Sequence, residues 1–321
     1  MKKKRQQLSE WYGKFAPILI LIVFCIIFTA FNPRFLSLRN MRILAQQSAI
    51  LWVIAMGGTF IILAGSIDLS VGGIMAMSSV TLSLLVLNLR NNNNFGLLGI
   101  LIAALVGAGF GCLNGLIHAK VKIPSLLVTL GTSFIGTGLA VVIYKGHPIR
   151  IQDATFRSLS IGNILGIPTI FIIASIIFIF AVFLERYTRF GRYVYAIGGG
   201  ERQARLVGIP VDRYKILIFT MSGLLFGLGG ILNAGRIGVG TAMVGIGAFQ
   251  AIAAVVIGGT ALSGGVGGMF RTLIGVWILT VMNNGMILMR INPYIQDAVV
   301  GVFMIIAVIV TIDRSKILIM K

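Results

Sequence analysis

Charge is scarce in this chain. Only 11% of its 321 residues are charged, where a soluble domain carries nearer a quarter. Acids are scarcest, with 8 Asp and Glu against 27 Lys and Arg. The two cysteines, Cys25 and Cys112, both lie inside apolar runs, which excludes a disulfide framework and marks them as packing residues. The two histidines, His118 and His147, have too few partners for a metal cluster. No G-x-x-x-x-G-K-[ST] loop is present, so ATP is not held by that device. H-E-x-x-H and G-x-S-x-G are missing too, and no nucleophile and base stand at convincing spacing among the apolar runs. An enzyme reading has no residues to rest on, and no cofactor is called for.

What the chain has in quantity is apolar length. Hydrophobic residues make up 57% and the mean hydropathy is +1.00. Runs long enough to cross a ~30 Å hydrocarbon core recur from end to end. A β-barrel would instead show short alternating segments. The sequence therefore predicts an all-α polytopic membrane protein of about ten transmembrane helices, with broken or re-entrant segments, folded as one domain over residues 1–321. The expected spans are 15–31, 43–63, 74–87, 95–117, 123–144, 169–184, 216–234, 248–262, 272–289 and 293–312. The third and eighth are short and abut glycine-rich stretches, as in helices broken within a transporter. The start, "MKKKRQQLSEWYGKF", resembles the positive region of a signal peptide. No small-residue cleavage site follows, so it reads as an uncleaved first helix. The 41 glycines suit close helix packing, and Gly107, Gly111 and Gly115 form overlapping G-x-x-x-G pairs, as do Gly223 and Gly227.

The net charge of +19 does not point to nucleic acid, because the basic residues sit in short loops between apolar runs. Lys and Arg set orientation in a membrane. With the N-terminus inside and alternating spans, 18 of the 27 basic residues fall on the cytoplasmic side, so both termini are expected there.

Ionisable residues inside the spans are nearly absent, and Asp68 and Asp297 are the acids read as standing near them. Ion-driven carriers place carboxylates or histidines in their helices. Their scarcity argues for energy supplied by another subunit. Asp68 lies in "GSIDLSVGG", between two apolar runs. It can cap the next helix by accepting from N–H groups two or three residues on, or it can line a solute path or gate with Ser70. Asp297 is expected at the outer interface or paired with a neighbour. "AAVVIGGTALSGGVGGMF" (253–270) is a second break, whose role is conformational. Asn114, Gln250, Asn283 and Asn284 are amides within or beside spans. Amides can meet sugar hydroxyls or join helices to one another.

The cytoplasmic loop 185–215 holds "GGGERQARLVGI". It reads as flexible glycines followed by a short helix, with Glu201 and Arg205 in the favourable i, i+4 order. Such a helix is too short to stand alone. Ala204, Leu206 and Val207 are expected to enter a partner's cleft, with Glu201 and Arg205 at its rim and Gly208 ending the helix.

Five ordered blocks, "GGTFIILAGSIDLSVGGIMAMSS", "PSLLVTLGT", "TRFGRYVYAIGGGERQARLVGI", "AIAAVVIGGTALSGG" and "MNNGMILM", resemble the ribose-type permease family. These are membrane subunits of bacterial ABC sugar importers. The resemblance implies residence in the bacterial inner membrane and pairing with a second permease copy or paralogue. It also implies cytoplasmic ABC ATPase subunits and an extracytoplasmic sugar-binding protein, with the ATPase contact in the block around Glu201, Ala204, Arg205 and Gly208. The chain departs from the family in "RIGVGTAMVGIGAFQAIAAV", where Val244, Ile246 and Phe249 replace polar or acidic positions. A stand-alone secondary sugar carrier is the alternative from the residues themselves, and a membrane scaffold or enzyme without solute flux a further one.

Overall fold

The computed structural model describes residues 2–244 and 247–311; its side chains are described from residue 16 onward, apart from 297, 304 and 307–311. Ile246 and the side chain of Asp297 thus lie outside the described residues. The chain runs through helices α1 (Lys2–Phe31), α2 (Leu38–Leu63), α3 (Val71–Leu85), α4 (Leu97–Leu116), α5 (Ser125–Tyr144), α6 (Ala154–Ile161), α7 (Thr169–Tyr187), α8 (Arg189–Gly199), α9 (Glu201–Leu206), α10 (Val211–Ile237), α11 (Ala248–Ile257), α12 (Met269–Leu288) and α13 (Pro293–Thr311). Each of the ten expected segments overlaps a helix, with ends that, apart from the start of α1, differ by up to five residues among the described residues. Among the described residues, six helices are by themselves long and apolar enough to cross a membrane: α2, α4 with its π-helical extension to Val121, α5, α7, α10 and α12. The apolar part of α1 (Ala16–Phe31), α3 and α11 are shorter.

α2 is the central post. Every residue from Ser48 to Leu63 is buried, and its neighbours are α7, α10, α11 and α12. α3 lies against α4, α5 and α10. In lipid no hydrophobic force pulls helices together, so they adhere where backbones can touch. The glycine spacing supplies such contacts between α4 and α10. A Cβ at Gly107 would stand 2.6 Å from the Gly223 carbonyl oxygen, and one at Gly111 only 2.2 Å from that of Phe219. The Gly223 position is as tight, 2.4 Å from the Gly107 oxygen. Polar bonds tie the centre further. Ser222 donates to the Gly57 carbonyl at 2.9 Å, and the Thr59 and Thr272 hydroxyls meet at 2.6 Å.

The connections gather into two groups, one at each end of the helices. At one end, β1 (Ile149–Arg150) pairs with β4 (Val239–Gly240), and Gln152 N–H donates to the Leu87 carbonyl. A small hairpin of β2 (Asn163–Ile164) and β3 (Ile167–Pro168) leads into α7. At the other end, the α2–α3 break, the α8–α9 loop and the α11–α12 break touch one another. There Gly265 N–H donates to the Leu63 carbonyl at 2.9 Å, and Gly198 lies against both Leu63 and Gly265.

Two expectations are corrected. The eighth apolar segment, expected to run to 262, stops as helix at Ile257, because glycines at 258 and 259 turn the chain back. The glycines of "GGGERQ" are not a loose linker, since Gly198 and Gly199 are the last turn of α8.

Candidate functional site

Both breaks start from the same device. After α2, Gly65 (φ +73) donates to the Ile62 carbonyl and Ser66 to that of Ile61. After α11, Gly259 (φ +97) donates to the Val256 carbonyl and Thr260 to that of Val255. This paired bonding stops a helix with its last carbonyls satisfied, and it needs a left-handed residue, which glycine supplies most readily. Irregular backbone at membrane depth survives only where it is buried in protein or lines a cavity.

The first break is held on all sides. Ile67 N–H donates to the Ser125 hydroxyl at 3.1 Å and Leu69 N–H to that of Thr129 at 2.9 Å, both on α5. Asp68 Oδ1 accepts from the Ser70 N–H at 2.7 Å and from the Ser70 hydroxyl at 2.5 Å. Asn114 Nδ2 on α4 donates to Ser70 Oγ at 3.0 Å. Asp68 thus accepts from the backbone two residues on, as expected, but that N–H belongs to the residue before α3 and not to the helix's own first turn. All three residues are buried. Asp68 Oδ2 and Asn114 Oδ1 are also buried, and neither meets a donor among the described residues. Burial pushes the Asp68 carboxyl up to about 6, against the two hydrogen bonds from Ser70. The cluster therefore offers acceptor oxygens to a donor.

The other amides separate from this cluster. Asn284 accepts from Asn40 Nδ2 at 2.9 Å, and the same amide group donates to the Phe35 carbonyl at 2.8 Å. That pair joins α2 to α12. Asn283 on α12 and Gln250 on α11 are half-buried, and neither side chain forms a hydrogen bond among the described residues.

The second break is fixed by a residue the sequence did not single out. Glu185, the buried acid at the end of α7, accepts from Met269 N–H, the first of α12, at 3.2 and 3.3 Å. Tyr195 of α8 donates to the same carboxylate at 2.5 Å. Arg271 Nη1 donates to the Gly259 carbonyl at 2.8 Å, closing the loop on itself. A glutamate ending an apolar helix just ahead of Arg186 looks like a headgroup-level charge. Nothing local signals that its partner lies 84 residues further on.

In the loop, α9 is pinned to the start of α10. Lys215 Nζ donates to Glu201 Oε2 at 2.6 Å, and Arg205 bridges Glu201, at 3.0 Å, and Asp212. Burial alone would raise the Glu201 carboxyl, but the bonds from Lys215 and Arg205 outweigh it and hold it below the ordinary range. Gly208 (φ +81) ends the helix as expected, donating to the Arg205 carbonyl while Ile209 donates to that of Ala204. Of the three apolar residues expected at a partner's cleft, one turns inward. Ala204 is 3% exposed and belongs to the chain's own core, and Glu201 and Arg205 are engaged within the chain. The other two apolar residues of the expected face do turn outward, Leu206 80% exposed and Val207 77% exposed.

Residues 40–308 match the family model described as "Branched-chain amino acid transport system / permease component". The chain is 34% identical over 318 residues to the ribose import permease protein RbsC of Escherichia coli (strain K12), covering 98% of this chain and 97% of that protein. Identity to the ribose import permease protein RbsC of Bacillus subtilis (strain 168) is 38%, with the same coverage. To the L-arabinose transport system permease protein AraH of Escherichia coli (strain K12) it is 37% over 309 residues, covering 96% and 91%. No solved structure matches the chain.

Proposed function

The chain belongs to the branched-chain amino acid transport system / permease component family, and from that membership we infer that it is the membrane-spanning permease subunit of an ABC sugar importer. Its solute is a monosaccharide or a related small polar molecule, and its energy comes from a separate ATPase. It is a transport component and not an enzyme. The ribose and arabinose names of its relatives support the sugar class. They do not choose a sugar, and Val244 and Phe249 argue for a solute that tolerates an apolar stretch of path.

The observation that carries the mechanism is the outward pair Leu206, the last residue of α9, and Val207 just after it, on a helix bound to the body by ion pairs. Two large apolar side chains presented to water on a rigid mount are the makings of a docking knob. We assign this knob to the cytoplasmic ATPase. In this reading all ten apolar helices cross, both termini are cytoplasmic, and the end bearing both breaks and α9 faces the cytoplasm. The opposite end meets the extracytoplasmic sugar-binding protein. A second permease copy or paralogue completes the pore. Asp68, Ser70 and Asn114 form the cytoplasmic gate, whose spare acceptor oxygens suit a passing hydroxyl.

Reconstitution tests the reading. Liposomes carrying the permease with its ATPase and binding protein should take up radiolabelled ribose or arabinose, or another monosaccharide, only with internal ATP. Concentrative uptake by the permease alone under a proton or sodium gradient would establish the secondary carrier instead.

A further inference from the structure

One buried acid, Glu185 at the end of α7, has no part in the gate or in the docking knob, yet two separate elements, α8 and α12, converge on it. Its carboxylate accepts from the first N–H of α12 and from the Tyr195 hydroxyl of α8. The Tyr195 oxygen also lies 3.0 Å from the Gly267 carbonyl, a second acceptor for the same proton. The loop is shaped to admit this approach. Gly267 (φ +141) and Gly268 (φ +142) hold a conformation that L side chains rarely adopt. A Cβ on Gly268 would stand 2.3 Å from Glu185 Oε1. Three residues after Tyr195, and so on the same side of α8, Gly198 lies where a Cβ would be 1.7 Å from the Leu63 carbonyl and 2.7 Å from Gly265 N. One side of α8 therefore grips the α11–α12 break through a hydrogen bond and the end of α2 through bare backbone. α9 follows after a single residue, Gly200.

We propose that Glu185 and Tyr195 are positioning residues, a clamp through which displacement of α8 is carried into the α11–α12 break. The inference rests on the permease reading, in which the ATPase pushes α9. Removing the clamp should leave docking intact and free the break from α8. Carboxylate and phenol serve this purpose better than an apolar contact, since a hydrogen bond into a buried site resists separation and sliding alike.

The test uses the permease assembled with its ATPase in nanodiscs, with spin labels at Arg192→Cys on α8 and Ser263→Cys in the break. ATP with vanadate should displace both labels together in the otherwise native complex, keeping their mutual distance narrow. Tyr195→Phe keeps the ring and removes the hydroxyl. It should leave ATPase capture and basal hydrolysis unchanged but broaden that distance and lower uptake per ATP by about fivefold or more. Glu185→Gln retains an acceptor for Tyr195 and should restore most of the coupling that Glu185→Ala loses. A narrow distance and normal uptake per ATP in Tyr195→Phe overturn the clamp. So does loss of ATPase capture in that variant, which would place Tyr195 in the dock. An unvaried complex that takes up no sugar with ATP would overturn the permease reading itself, so the two failures are distinguishable.

Discussion

At the level of single residues, Asp68 makes the sharpest statement. Its carboxyl is raised in the folded chain, from 3.8 to about 6, so the folded state holds the proton more tightly than the unfolded state does. This contribution to stability is greatest below the unfolded value and is lost as pH rises through about 6. Across pH 4 to 7 it amounts to about 3 kcal/mol at most. Asp68→Asn keeps an acceptor for Ser70 and removes the titration. In detergent, the melting temperature of the unvaried protein should fall between pH 4 and 7 relative to that of Asp68→Asn. Parallel curves would show that the carboxyl does not titrate there. The partner of Asp68 was readable in the sequence, because Ser70 is two residues away. The role of Asn114 as donor to Ser70 was not, since it depends on α4 crossing behind the break. Glu185 went unseen for the same reason, a long-range bond being set by packing and not by spacing.

Among elements, the α4–α10 crossing and α9 carry separate expectations. Gly111→Val must push apart two backbones already in contact, and overpacking of this kind costs about 1–3 kcal/mol or more. The melting temperature and the yield of inserted protein should fall. Gly109→Val should serve as a quiet control, since a Cβ there meets nothing within 4 Å. On α9, Leu206→Asp combined with Val207→Asp should leave insertion and melting unchanged while abolishing ATPase co-purification. Ala204→Asp should instead destabilise the loop, because it buries a charge in the chain's own core. Equal ATPase capture by the double variant and the native chain would remove α9 as the dock. The helix itself, its Gly208 stop and the Glu201–Arg205 pair were all legible, being local. The outward turn of Leu206 and Val207 was legible too, but the burial of Ala204 was not, because it follows from the ion pairs of Glu201 and Arg205 with Lys215 and Asp212 on the next helix.

For the molecule as a whole, the all-α polytopic character and both breaks could be read from hydropathy and glycine. The dense α8 junction could not, since Gly65, Gly198 and Gly265 come from three distant blocks. Amide hydrogen exchange should rank these regions. Amides of α4 and α10 around Gly107, Gly111 and Gly223 should exchange slowest. Those of 64–70 and 258–268 should exchange faster and should change most when nucleotide binds the attached ATPase. Uniform protection across the two sets would contradict this order.

The meeting of backbones at Gly111 and Gly223 has a consequence for the transport cycle. Two helices in contact along bare main chain, with no side chains between them, have no room to roll past each other. α4 and α10 must therefore travel as one piece, a fixed chassis running through every stage. The movable parts of the cycle are then expected outside this pair, at the two glycine-rich breaks and the α8–α9 turn that touches them.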